Sequence, residues 1–252
     1  MKKEKRLLLL FSYFFICFIS NFFAVAFQVF LRNIMLTEEM ADMSAAVWKN
    51  LKYGEILTFL IPTFITILYL FPLIKAFVFS ENKALFDDKV KRKILNSPFV
   101  ISTLGTTGWL VAILYNAYGL FISKIQVTLN FVFITNFFCV INALFCFVIT
   151  YYLSELLNRK FMIPQIFPEG KLSKFKGVFN PSIQARFAIY FVSISIFPLF
   201  ILFNVIFALL IKAGLEEFLL KINIVVLGLF VTSFFITFLI ASYFKEPLKE
   251  LK

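Results

Sequence analysis

Acid–base chemistry, if this chain performs any, would sit in its paired carboxylates: Glu38/Glu39, Asp87/Asp88 and Glu216/Glu217. Two carboxyls in one environment can divide into an acid and a base. All three pairs fall between apolar runs, where solvated caps and turns are the ordinary role of acidic residues. The 252 residues include no histidine. That removes a His-based triad, most transition-metal sites and a phospho-accepting histidine. The segment GKLSKFKG at 170–177 lacks the spacing and the preceding strand of a phosphate loop. Cys17, Cys139 and Cys146 lie inside apolar runs and have no metal-site spacing. An odd count of this kind makes no disulfide framework, so they read as small apolar residues. The sequence therefore predicts no catalytic residue, cofactor or metal in this chain.

The elements that carry these residues are helices for a bilayer. The chain is 61% hydrophobic and 19% aromatic, with 38 Phe and only 15% charged residues. An ordinary soluble domain is about 45–50% apolar and about 25% charged. A single water-soluble core of this length cannot hide so much apolar surface. A spanning helix needs ~20 mostly apolar residues, and six such runs occur, at about 7–31, 55–79, 99–123, 130–157, 187–211 and 222–244. None has the alternation of an outer-membrane barrel strand. The fold class expected is an all-α membrane protein, a six-transmembrane-helix bundle over 1–244, with 245–252 as a separate polar start of a further helix.

Charge orients the bundle. With the N-terminus inside, the inner segments hold eighteen Lys and Arg and the outer segments six, with Lys75 left inside span two. The positive-inside rule then places both termini in the cytoplasm, in the manner of a bacterial inner-membrane, multi-pass protein. The net charge of +11 meets lipid headgroups. It is spread over four segments with no reading motif, so nucleic acid is not an expected partner. The basic start Met1–Arg6 and the sequence Ala24-Val25-Ala26 resemble a signal peptide. The apolar run is too long for that, and a retained first helix is expected.

The loops are unequal. Arg32–Gly54 reads as a moderate outer loop with an acidic cluster of Glu38, Glu39 and Asp42, while 124–129 and 212–221 are very short. The long loops, Ser80–Pro98 and Asn158–Arg186, lie inside. They contain KRKILNSPF and FKGVFNPSI, each ahead of a span; a repeated pair of spans and coincidence both fit. Pro62 and Pro72 in span two and Pro198 in span five each remove a backbone donor and predict kinks. Gly105, Gly108 and Ala112 in span three have small-xxx-small spacing, which lets another helix approach closely, within the chain or in a dimer. Lys75 and Glu155 lie near the inner ends of their spans, and Lys75 can snorkel. Asn21, Gln28, Asn116, Asn136, Asn142 and Asn204 are neutral, and interhelical hydrogen bonds account for them.

After Phe244 the chain reads Lys245-Glu246-Pro247-Leu248-Lys249-Glu250-Leu251-Lys252. Proline suits the first turn of a helix, and Leu248 and Leu251 have the spacing of a coiled-coil seam. This end resembles the opening of a HAMP linker. The order of parts resembles the membrane anchors of six-helix bacterial class III adenylate/guanylate cyclases with such a linker. Pro168, Gly177, Val178, Arg186 and Pro198 match that family's linker and fifth span.

The resemblance implies a membrane anchor and sensory input module whose catalytic domain is not in this chain, with Pro247, Leu248 and Leu251 at the signal output. It also implies a homodimer through the C-terminal helix, and span six running unbroken from Ile222 into Leu251. Beyond the lipid bilayer, a membrane-embedded ligand or partner protein is the input it leaves room for. A small inner-membrane transporter or channel subunit is the other reading the sequence allows.

Overall fold

The computed structural model describes residues 3–36, 38–49, 54–79, 88–123, 127–167 and 215–250, with 191, 195, 198–199, 201–202 and 205–206 between the last two segments. Among the described residues every regular element is helical. In chain order they are α1 (Lys3–Met35), α2 (Glu38–Lys49), α3 (Gly54–Phe79), α4 (Asp88–Ser123), α5 (Leu129–Leu157), a π turn (Asn158–Met162), α6 (Ile163–Ile166) and α7 (Leu215–Glu250). Four stretches are long and apolar enough to cross a membrane: Leu7–Asn33, Thr58–Ala76, Asp88–Ile122 and Phe131–Ile166. A shorter apolar stretch, Leu220–Phe235, lies in α7. The expected span 187–211 lies largely outside the described residues.

Helix α1 explains why the bundle is a membrane protein. Its buried positions Leu10, Tyr13, Cys17, Ser20, Ala24 and Leu31 recur every three, four or seven residues and form one face. Leu8, Phe11, Phe15, Phe18 and Phe22 recur at the same spacing on another face and are exposed. A helix that is apolar on every side and still exposed needs lipid as its solvent. The small and polar residues point inward and the phenylalanines outward, the reverse of a water-soluble bundle.

Four helix limits differ from the sequence expectation, the first being the start of the expected loop Asn158–Arg186, which is helical from Asn158 through Ile166 and extends the apolar stretch begun in α5. The segment Arg32–Gly54, expected as an outer loop, is a helix over Glu38–Lys49. It contains no Gly or Pro before Gly54, and Ala41, Ala45 and Ala46 favour helix. Glu38 and Glu39 in its first turn and Lys49 in its last complement the helix dipole. Helix α4 starts at Asp88 rather than near Phe99, so the second half of the expected inner loop is helical and Pro98 lies in the helix interior. Helix α7 begins at Leu215, before the expected Ile222, and continues without interruption through Pro247 to Glu250; Leu251 lies outside the described residues.

Pro98 is tolerated because its missing donor is replaced. Its ring cannot bond the carbonyl of Ile94, four residues back. That carbonyl accepts from Ser97 Oγ at 2.7 Å and from Asn158 Nδ2 at 2.7 Å. Asn158 is buried at the start of the π turn, where it also donates to Ser97 Oγ at 3.3 Å and accepts from the Tyr13 hydroxyl. One side chain therefore ties α1, α4 and the end of α5 together. The π turn itself precedes Pro164, and the wider turn carries the Ile163 amide to the Asn158 carbonyl.

The buried residues form two main clusters. One holds Leu10, Tyr13, Leu73, Ile94, Ile101, Leu157 and Met162. The other holds Ala24, Leu31, Trp109, Phe138, Ile141, Ile201, Val205, Val225 and Leu229. Helix α4 lies against α3 and α5, and α1 against the same two helices. Helix α7 joins the second cluster through Val225 and Leu229, and Gly228 faces the Phe30 ring.

Gly108 sets the α3–α4 distance. A Cβ at Gly108 would lie 2.4 Å from the Thr58 carbonyl oxygen and 3.1 Å from Pro62 Cγ. Pro62 is the residue that withholds the ordinary helical donor from Thr58, so α4 closes on the notch the proline makes. At Gly105 an added Cβ would meet the Cys17 Sγ at 2.9 Å, a side-chain atom that can turn away. Gly108→Ala should therefore destabilise the detergent-solubilised protein by about 1–3 kcal/mol, and Gly105→Ala by less. Thermal unfolding followed by circular dichroism measures both. A Gly108→Ala variant as stable as the parent would contradict this packing.

Candidate ligand cavity

A cavity of about 360 Å³ opens among α1, α2, α3, α4 and α5. Its size falls within the ~300–1,000 Å³ range of small-molecule sites. Each wall is one stripe of a helix. Helix α1 supplies Asn21, Val25, Gln28 and Arg32, spaced at i, i+4, i+7 and i+11. Helix α4 supplies Gly108, Ala112, Asn116 and Leu120 at every fourth position, with Trp109 beside them. Helix α5 adds Phe131, Thr135, Phe138 and Cys139. Ser44 and Val47 of α2 close one end, and Thr58 and Phe59 of α3 close a side.

Hydrogen bonds between helices fix the polar groups of the wall. The Trp109 indole donates from Nε1 to Asn21 Oδ1 at 3.0 Å. Asn142 Nδ2 donates to Gln28 Oε1 at 3.2 Å. Asn116 Nδ2 reaches the Cys139 sulfur at 3.7 Å, a weak acceptor. Arg32 Nη2 donates to Ser44 Oγ at 2.9 Å and so pins α2 across the cavity end. The result is a largely apolar chamber with amides on its α1 and α4 walls and a guanidinium where α2 closes it. Such a chamber can hold a small apolar body and bond its polar group. It brings together no nucleophile and base.

The residues singled out by the sequence fall in different places. Gly108 and Ala112 line the cavity, and Gly105 packs one turn away against Cys17 and Asn21. Pro247 and Leu248 are in the final turns of α7. Lys75 is exposed near the end of α3. Glu155 pairs with Arg159 at 3.3 Å, one helical turn on. Glu38 and Glu39 are exposed on α2, and Asp88 at the start of α4. Among the described residues no group of three or more Cys, Asp or Glu is placed to hold a metal ion. The three cysteines are buried and form no disulfide.

Sequence reasoning missed Arg32 as a site residue, because it counted only as a flanking charge. The available signal was its position on the Asn21–Gln28 stripe of span one.

No known protein family, curated protein or solved structure matches the chain. The cavity must therefore be read from its own chemistry.

The Asn21–Trp109 bond gives a direct test of how the wall is held. Asn21→Leu leaves the buried indole N–H without its acceptor. The expected cost is about 1–3 kcal/mol, read as a lower unfolding temperature together with a changed Trp109 emission in a Trp48→Phe background. Unaltered stability and emission would show that the bond does not hold the wall.

Proposed function

We propose that this chain is the membrane-embedded input module of a bacterial signalling protein. In this reading the cavity receives the signal and α7 carries it to the cytoplasm. The bundle has six spans in the inner membrane with both termini cytoplasmic, as the distribution of Lys and Arg favours. The output is a cyclase-type domain reached through a HAMP-like linker that starts at Lys245, and Leu248 and Leu251 face a second copy across a two-fold axis. The chain itself performs no catalysis.

One observation carries the reading. Helix α7 is continuous from Leu215 to Glu250, and its Val225 and Leu229 share a core with Trp109 and Phe138, two walls of the cavity. A close-packed core transmits a change in one wall to the elements packed on it. A rigid helix leaving that core delivers the displacement to its far end. A ligand biases the position of α7 only through a difference in affinity between two packings, and in this reading the core that Trp109 and Phe138 share with Val225 and Leu229 links the cavity to that helix.

The test joins a known HAMP-gated output after Lys252. Filling the cavity with Ala112→Leu should shift the output of this fusion. Adding Leu248→Asp and Leu251→Asp buries charge in the seam and should abolish the shift while the protein still reaches the membrane. An output that ignores Ala112→Leu, or that still responds in the double aspartate variant, would refute the input-module reading.

A further inference from the structure

We infer that the cavity takes a compact anionic amphiphile: a small molecule with one carboxylate-like head, bound by Arg32, on an apolar or aromatic body. This names the ligand class of the input site and rests on the proposed function for its biological use. The binding itself does not depend on any output.

Arg32 carries the argument. Its side chain is half-buried and lines the cavity at the end closed by α2. Its one hydrogen bond among the described residues goes to a neutral hydroxyl, Ser44 Oγ at 2.9 Å. Ser44 is itself buried, at 3% exposure. The Arg159–Glu155 ion pair lies elsewhere in the bundle. Glu38, Glu39 and Asp42 belong to α2 as well, but their side chains are exposed. A guanidinium has five N–H donors in a planar fork that matches a carboxylate or a phosphate in a bidentate pair. Among the described residues no carboxylate pairs with Arg32, and a guanidinium partly withdrawn from water is better satisfied by an anion than by one neutral hydroxyl. An anionic head in the cavity is such a partner.

The remaining walls specify the body. Trp109, Phe131 and Phe138 are at most 7% exposed, and Val25 and Phe59 line the same chamber. At about 360 Å³ the chamber sits near the lower limit of small-molecule sites. That volume suits one short chain or ring system rather than the paired acyl chains of a membrane lipid. Asn116 lies partway along, with only a thiol bonded to its amide nitrogen among the described hydrogen bonds, and can meet a second polar group on the body. An anionic head also occurs on lipids, so the two sources share the Arg32 chemistry and differ in the volume they require.

The experiment uses the full chain with Trp48→Phe in nanodiscs of phosphatidylcholine, and reads Trp109 emission. The probe is 4-phenylbutyrate, with 4-phenylbutanol as its neutral counterpart. The carboxylate should produce a saturable change. Arg32→Gln should weaken it by about tenfold or more, the worth of a charged hydrogen bond, and Arg32→Lys should weaken it less. The alcohol should bind weakly and ignore the substitution. Ala112→Leu, which leaves the Arg32–Ser44 bond intact, should block the carboxylate by occupying its space. Equal responses from parent and Arg32→Gln, or no saturable response in the parent, would overturn the inference. Competition by phosphatidylglycerol added to the nanodiscs would overturn the assignment to a free small molecule. Failure here leaves the output-fusion result standing, and failure of the fusion leaves this binding measurable.

Discussion

The constraint on which this structure depends is backbone hydrogen bonding without water. In hydrocarbon every N–H and C=O must find its partner within the protein. Helices meet that demand except at their ends and at their prolines, and at three prolines the bundle builds specific contacts. Pro98 releases the Ile94 carbonyl, and Asn158 and Ser97 take it up. Pro62 packs opposite Gly108, whose missing side chain lets α4 approach the Thr58 carbonyl. Pro164 follows a widened turn that starts at Asn158. The prolines at these three positions therefore mark joints between helices rather than simple bends.

Those joints divide the bundle into parts of different character. Around Asn158 the side chains of Asn158, Ser97 and Tyr13 are bonded to one another across three elements. Between Arg32 and Gly108 the bundle is hollow, with a chamber whose walls come from five helices. Gly108 borders the hollow, where it permits the close α3–α4 contact and also lines the chamber. Helix α7 packs beside the hollow part through Val225 and Leu229, which share a core with Trp109 and Phe138. The bundle is thus braced in one region and hollow beside α7, and the proposed input role predicts that filling the hollow displaces that helix.

Much of this was legible in the sequence, for a clear physical reason. Length and hydrophobicity suffice to mark a helix in lipid, so α1, α3, α4 and α5 fall where apolar runs occur. Helix ends outside the apolar runs were not legible by the same rule. Glu38–Lys49 and Asp88–Pro98 are polar enough to read as loops, yet they contain nothing before Pro98 that breaks a helix, and Pro98 is rescued by Asn158, a partner 60 positions away in the sequence. The small residues Gly105, Gly108 and Ala112 were visible as a packing stripe. The cavity was not, because it arises from the convergence of stripes on separate helices. Asn21, Gln28 and Asn116 read singly as interhelical bonds, and Arg32 read as a topology signal. Only the chamber they line together gives them a shared setting.

The most direct test of the account is the position of the exit helix when the chamber is filled. Spin labels at Lys89, at the start of α4, and at Lys245, near the end of α7, would report it in bilayers by electron–electron double resonance, with the three buried cysteines replaced by alanine. The account predicts that Ala112→Leu shifts the distance distribution between the two labels relative to the parent, because the filled wall moves the core that Val225 and Leu229 share. Superimposable distributions from a folded Ala112→Leu variant would contradict it, since the cavity and the exit helix would then be mechanically independent.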